Sequence, residues 1–268
     1  FRRVQLHILL SVYAAVLGLI VGSYLNVVIY RLPLGISTVL PRSRCPGCGA
    51  AIRPYDNLPV ISWLLLRGRC RSCRAGISWR YPLVEAATAA LFLAAFLRFG
   101  ITFEAPAAAL FCALLLALAM IDFDHMILPD KITYPGIVLG ILLQPLLPWA
   151  RLWEGTWGAV AGAAFGALLG AGILLAVWVG WYLLRKEEGM GLGDVKMLAA
   201  IGAFLGWKGV LVSLFFASLS GAVVGLAFMA LGKLDTGSKL PFGVFLALGG
   251  LVALFFGEPL VRAYAQLL

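Results

Sequence analysis

The sequence predicts an all-α polytopic membrane protein, a bundle of about eight transmembrane helices carrying one small polar loop domain. Three observations lead there. Charged residues make up 12% of the 268 and hydrophobic residues 62%, with a mean hydropathy of +0.99, whereas soluble domains carry about twice that share of charge. Long, pure apolar runs recur from end to end. The basic residues behind the net charge of +9 gather in a few segments between those runs, which points to one membrane face and not to nucleic acid.

The runs are 4–30, 83–97, 105–121, 132–149, 155–184, 197–206, 210–231 and 241–257. Most approach the roughly 20 residues that cross a hydrocarbon core. Lipid-exposed backbone must be hydrogen-bonded within its own segment, so helices are the available solution. The first run is long and lacks a small-residue cleavage site, and so reads as a retained anchor. The small residues of "GAVAGAAFGALLGAG" (158–172) let helices approach closely. Run 197–206 is short, either re-entrant or extended past Lys208 by snorkelling. The chain thus divides into a first transmembrane helix (1–30), a polar loop domain (31–82) and a transmembrane bundle (83–268).

Basic residues test the crossings. Loops 31–82, 122–131, 185–196 and 232–240 fall on one face and hold 9, 1, 3 and 2 of them. The other face collects Arg2, Arg3, Arg98, Arg151, Lys208 and Arg262. Fifteen against six places the first group in the cytoplasm. Two runs separate Asp122 from Asp194, so both acids meet that same face whatever follows residue 196.

Four of the five cysteines lie in the 31–82 loop, as "CPGC" (45–48) and "CRSC" (70–73), with 21 residues between the pairs. Cys45, Cys48, Cys70 and Cys73 supply the closed thiolate set of a structural zinc site, with no open position for catalysis. A metal staple would replace the hydrophobic core that so short a loop lacks. The alternative is two reduced or disulfide-bonded pairs without metal. Cys112 stands alone in an apolar run and reads as a small buried hydrophobe. The fold class is therefore a helical membrane bundle with a zinc-stapled cytoplasmic loop.

Carboxylates near a bilayer core are expensive and face water or a partner. Asp194 ends "GLGD" (191–194), where side-chain-free positions let backbone or substrate come close. Asp122 opens "DFDHMILPD" (122–130). Two carboxyls brought together share a proton, so one can activate water while the other polarises a carbonyl, as in aspartic proteases. The bland alternative makes both acids headgroup-level residues partnered by Lys131 and Lys196. Asp124 competes with Asp122 for the catalytic place, Asp130 reads as the N-cap of the following helix, and His125 as a headgroup-level polar residue.

Taken in order along nearly the whole chain, "GSYLNVVIYRLP" (22–33), the two CxxC pairs, "RPYDNLPVISWL" (53–64), "RYPLVE" (80–85), "IDFDHMILPD" (121–130), "GMGLGDVK" (189–196) and "PFG" (241–243) resemble the bacterial type IV prepilin peptidases, the GxGD-type membrane aspartic proteases. The resemblance implies an inner-membrane, multi-pass enzyme with its active site facing the cytoplasm. Such enzymes cut the leader from prepilins or type II secretion pseudopilins, then N-methylate the new terminus with S-adenosyl-L-methionine. Their catalytic aspartates match Asp122 and Asp194, and the glycine associated with methyl transfer matches Gly68 of "RGRC". Asn26, Arg31, Asp56, Asn57 and Glu85 are polar candidates for holding leader, amino terminus or methyl donor. The stretch 34–44 is shorter than in some relatives. No glycine-rich methyl-donor fingerprint is visible, so methyl transfer rests on the resemblance alone. The partners implied are a prepilin or pseudopilin and the lipid bilayer, without nucleic acid; the oligomeric state is not legible. The rival readings are a transporter using the paired aspartates for cations or protons, and a zinc-dependent scaffold.

Overall fold

The computed structural model describes residues 2–147, 155–187, 190–233 and 240–266. The end of run 132–149, Arg151, Gly189 and Lys239 lie outside the described residues. Among the described residues eight α-helices follow one another: α1 (Arg2–Arg31), α2 (Ile61–Leu65), α3 (Arg80–Phe99), α4 (Glu104–His125), α5 (Asp130–Leu143), α6 (Gly155–Arg185), α7 (Leu192–Ala230) and α8 (Phe242–Ala265). No strand occurs among the described residues, only two isolated bridges. Six helices (α1, α3, α4, α6, α7 and α8) are long and apolar enough to cross a membrane. The chain forms two compact units, Phe1–Ala113 and Leu114–Leu268.

In the first unit α1 and α3 pack antiparallel. The contact depends on missing side chains: a Cβ on Gly22 would stand 2.7 Å from Glu85 Cα, and one on Gly18 would stand 2.6 Å from Ala89 Cα. Asn26 Nδ2 donates to the Tyr81 carbonyl at 3.1 Å near the polar end of the pair. Between these helices the loop carries a 3₁₀ turn at Pro54–Asp56 and the short α2.

The second unit shows why one 39-residue helix answers to two apolar runs. Gly206 has φ 67° and ψ −174° inside α7, a conformation that glycine alone adopts readily. A Cβ on Gly202 would lie 2.9 Å from Val210 Cγ2, although eight residues of straight helix span about 12 Å. Likewise Gly249 and Gly250 of α8 abut Ser213 and Ile201 respectively. The chain therefore doubles back at Gly206, and legs 192–205 and 207–230 correspond to runs 197–206 and 210–231. With its legs counted separately, α7 and the helices α1, α3, α4, α5, α6 and α8 answer in order to the eight apolar runs, although α5 is shorter than the six helices long enough to cross a membrane.

The reversal frees carbonyls that a continuous helix would have bonded. Gln144, fully buried in the 3₁₀ turn Gln144–Leu146, donates its Nε2 to the carbonyls of Ala203 (3.0 Å) and Phe204 (2.9 Å). A polar side chain so placed closes the helix end that Gly206 opens. The first leg lies against α6 through glycines: a Cβ on Gly166 would meet Gly206 Cα at 2.9 Å, and one on Gly170 would meet the Leu198 carbonyl carbon at 2.9 Å.

Candidate active site and metal centre

Asp122 lies in the last turn of α4, whose helix stops at Met126 (φ 52°), the Met126 N–H bonding the Asp122 carbonyl at 2.8 Å. Its side chain is buried at 5% exposure, while Asp124 and His125 are exposed. Burial therefore separates the two competing acids of "DFDH" in favour of Asp122 as the inward-facing one. Asp194 lies in the first turn of α7 after Gly191 and is 8% exposed. An acid there also suits the positive end of the helix dipole. The two acids border one small cluster: Gly243 abuts both the Asp122 carboxyl and Leu128, and Leu128 abuts Gly193, the neighbour of Asp194.

Two glycines make this approach possible. A Cβ on Gly243 would lie 2.8 Å from Asp122 Oδ2 and 3.1 Å from its Cγ, and the backbone N–H groups of Gly243 and Val244 face the same carboxyl. Oδ2 itself is buried without a hydrogen-bond partner among the described residues. A Cβ on Gly193 would meet Leu128 Cβ at 2.8 Å, and Leu128 also abuts Gly243. The buried Leu128 is thus a wedge between the first turns of α7 and α8, and the second glycine of "GLGD" leaves room for it.

Lys196, one of the two bland partners the sequence offers, is placed otherwise. Lys196 pairs with Asp130 and sits 5.6 Å over the Tyr134 ring. Asp130 is the first residue of α5, behind Pro129 in the cap position. It is therefore not the N-cap the sequence suggested; its carboxylate ties α5 to α7 instead. Pro129 takes the cap because its N–H is absent and its extended backbone (φ −65°, ψ 132°) leads naturally into a helix.

The four loop cysteines converge. Their sulfurs all lie within 4.8 Å of one another, and Cys45 Sγ and Cys73 Sγ are 3.7 Å apart. Tetrahedral zinc with sulfur at about 2.3 Å sets its sulfurs about 3.8 Å from each other, whereas a disulfide needs about 2 Å. The set fits a metal ion. Each pair forms the same knuckle, 25 residues apart: Cys45 N–H bonds Ala50 and Cys70 N–H bonds Ala75, inside bridges Arg44–Ala51 and Arg69–Gly76. Gly49 (φ 69°) and Arg74 (φ 61°) take the left-handed position in each. The repeat "RCxxCxA" at 44–50 and 69–75 is the sequence signal of this knuckle, beyond the CxxC spacing itself.

Backbone N–H groups of Cys73 and Ser72 pull the Cys70 thiol down to about 6. Cys73 receives the Ala75 N–H, which favours its thiolate, but the sulfurs of Cys48, Cys70 and Cys45 and its own burial push it up to about 11. Four thiolates this close cannot coexist without a cation between them. Nearby, Arg71 holds Asp56 in a bidentate pair (2.6–3.0 Å) and lies 5.6 Å over the Tyr55 ring. The guanidinium keeps the Asp56 carboxyl below the usual carboxylate range.

Gly68 is buried with φ +65°; a Cβ there would stand 2.9 Å from Trp63 Cζ2, and Trp63 Nε1 donates to the Ile77 carbonyl at 3.0 Å. Its geometry is that of a turn beneath an indole. Two further polar candidates are engaged in the loop's structure: Arg31 donates to the carbonyls of Ser37 and Pro41, and Glu85 Oε2 accepts the Val60 N–H at 2.7 Å.

A helical membrane bundle with two buried acids at neighbouring helix ends defines a class, and comparison with known proteins narrows it. Residues 16–99 match the Bacterial Peptidase A24 N-terminal domain and residues 109–226 the type IV leader peptidase family. Relatives named prepilin leader peptidase/N-methyltransferase include one from Stutzerimonas stutzeri, 39% identical with 94% of this chain and 93% of the relative covered. Another, from Pseudomonas aeruginosa, is 39% identical over 93% and 91%. One from Myxococcus xanthus is 47% identical over 84% of this chain and 65% of the relative. No solved structure matches. The chain belongs to the type IV leader peptidase family.

Proposed function

We propose that this chain is a membrane aspartic endopeptidase that removes the leader of a type IV prepilin or type II secretion pseudopilin and then N-methylates the new terminus. The observation that carries the reading is the pair Asp122 and Asp194, two buried acids from α4 and α7 that border one cluster of Gly243, Leu128 and Gly193, in a chain whose relatives are named for both activities. The peptidase family gives the transporter and scaffold readings no support.

In the proposed reaction one carboxylate takes a proton from a water as its oxygen adds to the scissile carbonyl carbon. The other carboxyl donates its proton to the carbonyl oxygen. Collapse of the tetrahedral adduct breaks the C–N bond and returns a proton to the leaving amine. The N–H groups of Gly243 and Val244 orient Asp122, and Leu128 spaces the Asp194-bearing turn of α7 from the first turn of α8 that carries those groups. The basic bias of the sequence supports a cytoplasmic-facing site in the bacterial inner membrane. A substrate's apolar helix would lie in the bilayer with its basic leader held near anionic headgroups.

The metal of the cysteine knuckles is zinc in this reading and is structural, since Cys45, Cys48, Cys70 and Cys73 would fill its coordination. S-adenosyl-L-methionine supplies the electrophilic methyl group for the new terminal amine. Gly68 keeps its proposed link to methyl transfer through the resemblance, acting by shaping the loop. Incubating the pure protein with one prepilin, with and without S-adenosyl-L-methionine, tests both halves. Mass analysis should show leader loss in either case and a methyl group only with the donor. An uncut prepilin in both tubes would overturn the reading.

A further inference from the structure

The loop's surface carries a feature that neither cleavage nor metal binding uses. α2 is two-faced. Ser62 is buried and bonds the Tyr55 carbonyl at 2.9 Å, and Trp63 turns under Gly68. On the opposite face Ile61 (53% exposed), Leu64 (61%) and Leu65 (77%) form one apolar stripe, continued by Leu58 one turn earlier. At 100° per residue the first three fall within one narrow arc. Bare leucines on a polar, extramembrane loop require a partner.

Depth and charge identify it. Val60, at the head of α2, is held in a left-handed conformation (φ 59°) that a β-branched residue avoids. Its N–H is fixed at 2.7 Å to Glu85. Glu85 stands five residues inside the membrane-spanning α3, about 7.5 Å along its axis. That distance matches the thickness of one headgroup layer. The stripe therefore starts beside the first turns of a helix long and apolar enough to cross a membrane. The surrounding segment 31–82 holds nine arginines, no lysine and the single acid Asp56, which Arg71 already neutralises. Arg67 and Arg69, immediately beyond α2, are exposed.

We propose that α2 is an interfacial helix that seats the cysteine loop on an anionic lipid surface, its leucines in the bilayer edge and the exposed Arg67 and Arg69 on headgroup phosphates. A neutral partner protein would explain the leucines but not the arginines. The inference needs the chain to lie in a bilayer and is independent of what Asp122 and Asp194 do.

The test places a photoreactive p-benzoylphenylalanine at Leu65 of the full-length protein, in nanodiscs of phosphatidylcholine mixed with phosphatidylglycerol, with and without a prepilin. Zinc content checks that the loop is folded. Mass analysis should find lipid adducts in which phosphatidylglycerol exceeds its share of the bilayer by about twofold or more. That excess should fall toward unity as salt is raised. Adducts to a second copy of the chain or to prepilin, lipid adducts in simple proportion to composition, or no adduct at all would each overturn the proposal. Cleavage of prepilin by the same sample is scored separately, so a failed catalytic reading leaves this result readable.

Discussion

The cysteine loop and the acid pair solve one problem, bringing like-charged groups together, by opposite means. In the loop everything needed is local: a seven-residue unit bends each CxxC, and a second copy 25 residues on completes the set. In the bundle nothing is local. Asp122 and Asp194 come from different helices, and the glycine that clears room for Asp122 lies at position 243. The loop gathers its charge for a cation to neutralise, whereas the bundle isolates its charge from lipid with backbone N–H groups and a leucine wedge. A site built from local turns is expected to depend on its ligand for stability. One built from helix contacts is expected to fold without ligand and to fail through misplacement.

The largest effect is expected in the loop. Changing Cys45 and Cys70 together to Ser should remove the metal, about one ion per chain, and with it folding free energy on the order of 10 kcal/mol. Metal analysis and hydrogen exchange over 45–76 read this out. A loop equally protected without metal would break the contrast, because its own packing would then suffice.

Next comes Gly243→Ala. The added methyl would overlap Asp122 Oδ2, and a shift near an ångström costs roughly a hundredfold in turnover. Thermal unfolding and metal content should stay near those of the parent. If cleavage is unchanged, the α8 turn is not what places Asp122.

A smaller change is expected from Gln144→Leu, which strips two bonds from the Ala203 and Phe204 carbonyls. Leaving those buried acceptors unsatisfied should destabilise the second unit by about 1–3 kcal/mol, read as a lowered Tm in detergent. An unchanged Tm would mean that another group closes the reversal at Gly206.

The smallest is a pH effect on the loop. The Asp56 carboxyl is depressed by Arg71, so its contribution to stability is present above the ordinary carboxylate pKa of about 4. It is lost as pH falls through the depressed value. Asp56→Asn should abolish that acid-side step in the exchange of residues 53–71 and change little at neutral pH. Persistence of the step in the variant would assign it to another group.

The same contrast governs what could be read in advance. Eight apolar runs, the cysteine quartet and the two acids were legible because each is a matter of composition or short spacing. A reversal near Lys208 was implied by setting runs 197–206 and 210–231 apart with that lysine on the opposite face; its tightness was not legible, because it rests on the φ of Gly206 and on the helices packed against it. Gly243, Leu128 and the Asp130–Lys196 pair escaped because their meaning lies in residues that meet through folding. Asp130 misled for a related reason: its helix-start position was right, but a cation from another helix and a proline before it changed its role. Gly68 was flagged for methyl transfer, yet its φ and the indole above it explain why only glycine fits there.

The central claim is that Asp122 and Asp194 work as a pair. The direct measurement is the rate of leader cleavage of one prepilin by Asp122→Asn and by Asp194→Asn, alongside Asp124→Asn, in folded protein with intact metal content. Each of the first two should fall roughly a thousandfold or more, with Asp124→Asn close to the parent because that side chain is exposed. Full cleavage by either Asp122→Asn or Asp194→Asn would contradict the account.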